Sequence, residues 1–83
     1  MFKIIIPKVV LKELEEIDCE NQKLVWAKIK DLENGIFTHD KALNGKHKGK
    51  FRKYAGSYRV IYLRENELVL VTVIRIAHCK EVY

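Results

Sequence analysis

Ile4, Ile5 and Ile6 form a short β-branched run behind Phe2-Lys3 and stop at Pro7, a pattern that predicts a first strand. Pro7 suits the first turn of a helix, where its missing N–H costs nothing. The period then changes. Val10, Leu11, Leu14 and Ile17 recur at helical spacing, with Lys12, Glu13, Glu15 and Glu16 on the opposite side, which predicts a helix ending near Asp18 to Glu20. Asn21 is a competent N-cap for a second helix, and Asn34-Gly35 is its stop signal. Val25, Ile29 and Leu32 make its apolar stripe, with Leu24 beside it and Trp26, the single tryptophan, assigned to the core. Because almost nothing joins the two helices, they are expected to pair as an antiparallel hairpin.

From Ile36 to Gly49 no period is legible, and Thr38, His39, Asp40, Asn44 and Gly45 read as a loop. Period two begins at Phe51. Phe51 to Tyr54 and Tyr58 to Arg64 read as strands around an Ala55-Gly56-Ser57 turn, and Glu67 to Ile76 as a longer strand after a turn at Glu65-Asn66. In that long strand, regular alternation puts Leu68, Leu70, Thr72, Ile74 and Ile76 on one face, and Val69, Val71, Val73 and Arg75 on the other. Apolar residues on both faces mark a central strand, and Val82-Tyr83 is a candidate final strand. The order strand, two helices, three strands predicts one α+β domain over residues 1–83, with a helical hairpin on one face of a mainly antiparallel sheet.

Charge adds what periodicity cannot. The net charge is +5, but it is unevenly spread. Residues 1–40 hold six lysines against eight acids, a balance of −2, and residues 41–83 hold ten Lys/Arg against three Glu, a balance of +7. A basic half joined to a mildly acidic one points to a polyanionic partner. No apolar run approaches the roughly 20 residues of a membrane span and no signal-peptide pattern is present, so a soluble, cytoplasmic protein is expected. Cys19 and Cys79 lack CxxC spacing and a companion His/Asp cluster, which favours reduced thiols and gives no zinc site.

The cations of the basic half fall in strand sequence. Lys50, Arg52 and Tyr54 share one face of their strand, and Arg59, Ile61 and Leu63 share a face of the next. A tight turn between them would bring Arg52 and Arg59 onto one surface, where guanidinium groups and a lysine hold a phosphodiester and stabilise developing charge. Lys46, Lys48, Lys53 and Lys80 are further candidate RNA-binding cations. His78 exchanges protons near neutrality, and Tyr83 offers a ring to stack on a base. With no carboxylate pair and no metal-ligand cluster, a nuclease of this composition is expected to work without metal or other cofactor, the RNA 2′-hydroxyl attacking its own phosphate. Plainer readings compete: Arg52 and Arg64 as partners of Glu65 and Glu67, His78 as a surface residue, and Tyr58 and Tyr62, opposite Arg59, as core.

Arg52 followed by Gly56-Ser57-Tyr58-Arg59-Val60-Ile61-Tyr62, closed by His78 to Tyr83, resembles the RelE/ParE superfamily of toxins from type II toxin–antitoxin systems. The resemblance spans nearly the whole chain and implies a RelE-like fold. For the RelE branch it implies metal-independent cleavage of mRNA on the ribosome and a cognate antitoxin as partner. By position it gives Arg59 the scissile phosphate, Lys50 and Arg52 the backbone and activation of the nucleophile, and Tyr83 orientation of the substrate. His78 matches a histidine common just before an arginine that donates the leaving-group proton. This chain carries Cys79 at that arginine's position, so Lys80 or His78 substitutes for it or activity falls. The alternatives are a ParE-like inhibitor of DNA gyrase and a catalytically weakened RelE homologue.

Overall fold

The hydrophobic stripe of two consecutive helices needs one apolar surface to pack on, and a sheet of five strands supplies it. The computed structural model describes residues 1–43 and 49–80. The elements are β1 (Lys3–Ile5), α1 (Lys8–Glu15), α2 (Cys19–Glu33), β2 (Lys41–Ala42), β3 (Lys50–Ala55), β4 (Tyr58–Glu65) and β5 (Leu70–His78), with a 3₁₀ turn at Asn66–Leu68. The sheet order is β1-β5-β4-β3-β2; β1 runs parallel to β5 and the other neighbours are antiparallel. The α+β, mainly antiparallel architecture expected from the sequence is therefore present.

Val10, Leu14 and Ile17 together with Val25, Ile29 and Leu32 pack against Ala55, Val60, Tyr62, Val71, Val73 and Ile76. Every helical residue in this set was legible from its spacing. Helix ends are less so. Pro7 stands at the N-cap of α1, one position earlier than its expected place in the first turn, and α1 stops at Glu15. α2 is capped by Asp18 and not Asn21. The Asp18 carboxylate accepts from the Asn21 side chain (2.8 Å) and backbone N–H (3.4 Å), and the side-chain bond holds it below the usual carboxylate range. The C-terminus ends as expected at Asn34-Gly35. Gly35, at φ +74°, donates to Leu32 and Ile36 donates to Asp31, the paired bonds that close a helix on a left-handed glycine.

Several expectations are overturned. Trp26 is 43% exposed, on the rim of a groove it shares with Ile4, Ile6 and Ile29. It sits one position past Val25 on α2, and 100° of helical rotation takes it off the stripe that faces the sheet. The face assignment of β5 also fails. Ile61 pairs with Arg75 but Tyr62 pairs with Val73, so Ile74 is the extra residue of a β-bulge. The bulge resets the parity, so Val71, Val73 and Ile76 all face the helices, where strict alternation would have separated Ile76 from the two valines. Val69, in left-handed conformation at φ 51°, ends the 3₁₀ turn, and β5 starts after it. Lys41–Ala42 form an edge strand inside the region read as a loop, and Val82-Tyr83 lie outside the described residues.

The β3–β4 turn is pressed against α2. A Cβ on Gly56 (φ +62°) would lie 2.8 Å from Leu24 Cδ1 and 3.3 Å from Asn21 Oδ1. Because Leu32 is fully buried, Leu32→Ala should lower the unfolding free energy by about 2–5 kcal/mol in urea titrations. Trp26→Ala should cost less than half as much; the reverse order would place Trp26 in the core after all.

Candidate nucleic-acid interface

Paired residues on neighbouring strands share a face, so the register alone assigns the cations to the two sides of the sheet. Arg52 pairs with Ile61 and Tyr54 pairs with Arg59. Arg52 and Arg59 are thus diagonal neighbours on the face away from the helices, a relation that spaces such positions by roughly 7–8 Å. Lys50, paired with Leu63, lies on the same face. The expected grouping of Lys50, Arg52, Tyr54 and Arg59 on one surface is therefore found. The Arg52 guanidinium lies 5.6 Å from the centre of the Tyr54 ring, a cation–π contact that orients it. Its Nε is buried and makes no hydrogen bond among the described residues, the condition of a donor that a phosphate oxygen would satisfy. Arg59 is 8% exposed. Its guanidinium is held in the sheet surface and does not wave in solvent, which lowers the cost of ordering it around an anion.

Lys41 joins this face, although no pattern in the residues around it signals that. It pairs with Arg52 across β2–β3, which extends the row Lys41, Arg52, Ile61, Arg75 across four strands. A two-residue edge strand has no period to detect, so its register was invisible before the structure.

Lys53 is a correction. It alternates with Arg52 onto the helix-facing side, where its Nζ lies 3.0 Å from Asp40 Oδ1 with both side chains at least nine-tenths buried. It is a buried ion-pair partner and is not on the cationic face. The same carboxylate accepts a hydrogen bond from the Tyr62 hydroxyl through Oδ2. Burial, and then that bond, pushes the Tyr62 phenol far up, so it stays protonated. Phe37 and Phe51 stack on the Tyr62 ring at 6.1 and 5.7 Å, and the Arg64 guanidinium lies 4.4 and 4.5 Å from their ring centres. Arg64 thus serves this aromatic cluster on the helix-facing side.

His78 is the second correction. It pairs with Tyr58, whose ring it meets edge-on at 5.1 Å, while Arg59 pairs with Ala77. One position of register puts His78 on the opposite face from Arg59. It lines a pocket with Glu13, Glu16, Tyr58 and Arg75, and its Nδ1 accepts from the Lys80 N–H at 3.1 Å. Glu13 reaches the open side of β5 there, accepting from the Ile76 N–H at 3.2 Å and lying 3.7 Å from Arg75 Nε. Cys79 is tied to the β3–β4 turn by its N–H to the Ser57 carbonyl (2.8 Å), and Lys80 is exposed beyond β5. Lys46, Lys48 and Tyr83 lie outside the described residues. Both cysteines are free thiols. Among the described residues no three His, Cys, Asp or Glu side chains converge on a metal-sized site, and no helix is long and apolar enough to cross a membrane.

No family model matches the chain, and no curated protein matches its sequence. Solved structures do match its fold. The archaeal RelE–RelB complex from Pyrococcus horikoshii superposes with a TM-score of 0.83 at 19% identity, over 98% of both chains. The isolated RelE toxin of E. coli gives 0.77 at 18% identity, over 99% of this chain and 88% of its own. The YoeB–YefM complex of Staphylococcus aureus gives 0.73 at 8% identity, over 94% and 97%. The chain has the RelE-like fold that its motifs led one to expect.

The Lys53–Asp40 pair makes a stability test. Lys53→Met leaves a buried carboxylate without its cation and should cost about 3–5 kcal/mol, whereas Asp40→Asn/Lys53→Met should recover most of that loss. Equal costs for the single and the double variant in chemical denaturation would mean that the charge pairing is not what matters there.

Proposed function

From a RelE-like fold with a cationic outer sheet face, we propose that this protein is the toxin of a type II toxin–antitoxin system and a ribosome-dependent, metal-independent mRNA endoribonuclease. The observation that carries the reading is the placement of Arg52 and Arg59 as diagonal neighbours, beside Lys50, on the face the helices leave uncovered. In this mechanism the 2′-oxygen attacks the adjacent phosphorus, a proton leaves the 2′-hydroxyl, the bond from phosphorus to the 5′-oxygen breaks, and that oxygen takes up a proton. Arg59 neutralises the negative charge that builds on the phosphoryl oxygens, which rigid, partly desolvated donors do best. Lys50 and Arg52 hold the flanking backbone and orient the attacking hydroxyl, and Arg52 brings a guanidinium with a donor still to be satisfied. Tyr83 stacks on or orients the substrate base.

Proton delivery to the leaving oxygen is the weakest step in this chain. Cys79 supplies no permanent cation and His78 faces the helices, which leaves Lys80, exposed beyond β5, to supply the proton. A modest catalyst that binds better than it cleaves is the consequence, since proton-transfer groups contribute about 10²–10⁴-fold. The antitoxin partner is expected to be acidic or amphipathic, matching the +7 balance of residues 41–83.

Purified protein in a cell-free translation reaction should cut message at the ribosomal A site, read by primer extension. Arg59→Ala should lower the cleavage rate at least about 10²-fold. His78→Gln should change it less than tenfold, because the ring is on the wrong face. Absence of cleavage by the wild-type protein, with Cys79→Arg also silent, would overturn the nuclease reading; poisoning of gyrase in a supercoiling assay would then favour the ParE-like alternative.

A further inference from the structure

Residues 39–41 switch the backbone from one side of the sheet to the other. His39 takes a left-handed conformation (φ 68°), the Asp40 N–H closes a turn onto the Phe37 carbonyl at 3.2 Å, and β2 begins at Lys41. Asp40 points under the sheet, where Lys53 and Tyr62 both take its carboxylate. Lys41, the next residue, pairs with Arg52 and therefore projects from the opposite, cationic face. β2 has two residues and one neighbour, and an edge strand that short supplies too few ladder bonds to fix its own place. Its buried anchor is the stronger tie: a carboxylate held by an ammonium and a phenol, under a stack of aromatic rings.

We infer that Lys41 is a backbone-phosphate contact of the cationic face, and that buried Asp40 is the positioning residue that holds it beside Arg52. The inference rests on the nucleic-acid reading of this face. Lys41 is exposed, pairs with no acidic group among the described residues, and stands directly across from Arg52. Two cations side by side on adjacent strands suit successive phosphates of one single strand, which gives this face a direction of tracking from Arg59 through Arg52 to Lys41. The plainer role for an edge lysine is to discourage sheet-to-sheet pairing, and that role predicts no effect on binding.

The test measures binding of a labelled, unstructured single-stranded RNA oligonucleotide across a salt series. Lys41→Ala should weaken binding about fivefold at 0.1 M salt and reduce the log–log salt slope by about 0.7, the share of one phosphate on a single strand. Lys12→Ala, on α1, should change neither. Asp40→Ala/Lys53→Met, which removes the carboxylate that Tyr62 and Lys53 hold without leaving a buried charge unpaired, should weaken binding by a similar factor, and by nothing further when Lys41 is already Ala. Wild-type affinity and slope in Lys41→Ala would overturn the contact. An anchor effect that persists undiminished in the Lys41→Ala background, or that is missing altogether, would overturn the positioning. If the wild-type chain showed no salt-dependent binding at all, the nucleic-acid reading of the face would fail first, which is a distinct result.

Discussion

Two short helices cover one side of a five-stranded sheet, and the rest of the molecule follows from that imbalance. α1 and α2 supply enough apolar surface to bury Val60, Tyr62, Val71, Val73 and Ile76 from one direction only. Strands of alternating character must then present their other residues outward, and here those residues are Lys50, Arg52, Tyr54 and Arg59. Lys50 and Arg52 keep more contact with solvent there than Lys53 does on the buried side, where it needs Asp40 at 3.0 Å. Adjacent positions of the same strand, Arg52 and Lys53, thus have opposite fates: one is oriented on a tyrosine for an anion from outside, the other is neutralised from within.

The buried side also governs the exposed one. Asp40 gathers a lysine and a tyrosine under the sheet, and the rings of Phe37, Phe51 and Tyr62 with the Arg64 guanidinium fill the space around them. This cluster fastens the segment before β3, where the sequence is too irregular to hold itself by ladder bonds alone. A polar network of this sort is costly if half-made, and its completeness is what makes it a reliable anchor.

Period was the legible part of the sequence. The stripes of α1 and α2, the Asn34-Gly35 stop, the β3–β4 hairpin and the grouping of Arg52 with Arg59 all depend on repeats of 3.6 or 2 that survive without knowledge of neighbours. What was not legible depends on a break in period or on a partner far along the chain. The bulge at Ile74 shifts β5 by one residue, and a shift of one residue is a change of face. The same parity, carried to the end of β5, sends His78 toward Tyr58 and away from Arg59. Lys53 looked like any other cation of the basic half because its partner, Asp40, lies in a stretch with no pattern. Lys41 was missed for the converse reason, since a two-residue strand is defined only by what it pairs with.

The position of the cations relative to the helices separates this account from its rivals. If RNA binds the outer face, amide chemical shifts recorded during titration with a single-stranded RNA oligonucleotide should move most at Lys41, Lys50, Arg52 and Arg59. The backbone around Glu13, Tyr58 and His78 should be little affected. Shifts concentrated around Glu13, Tyr58 and His78, with the outer face of β3 and β4 unmoved, would contradict it.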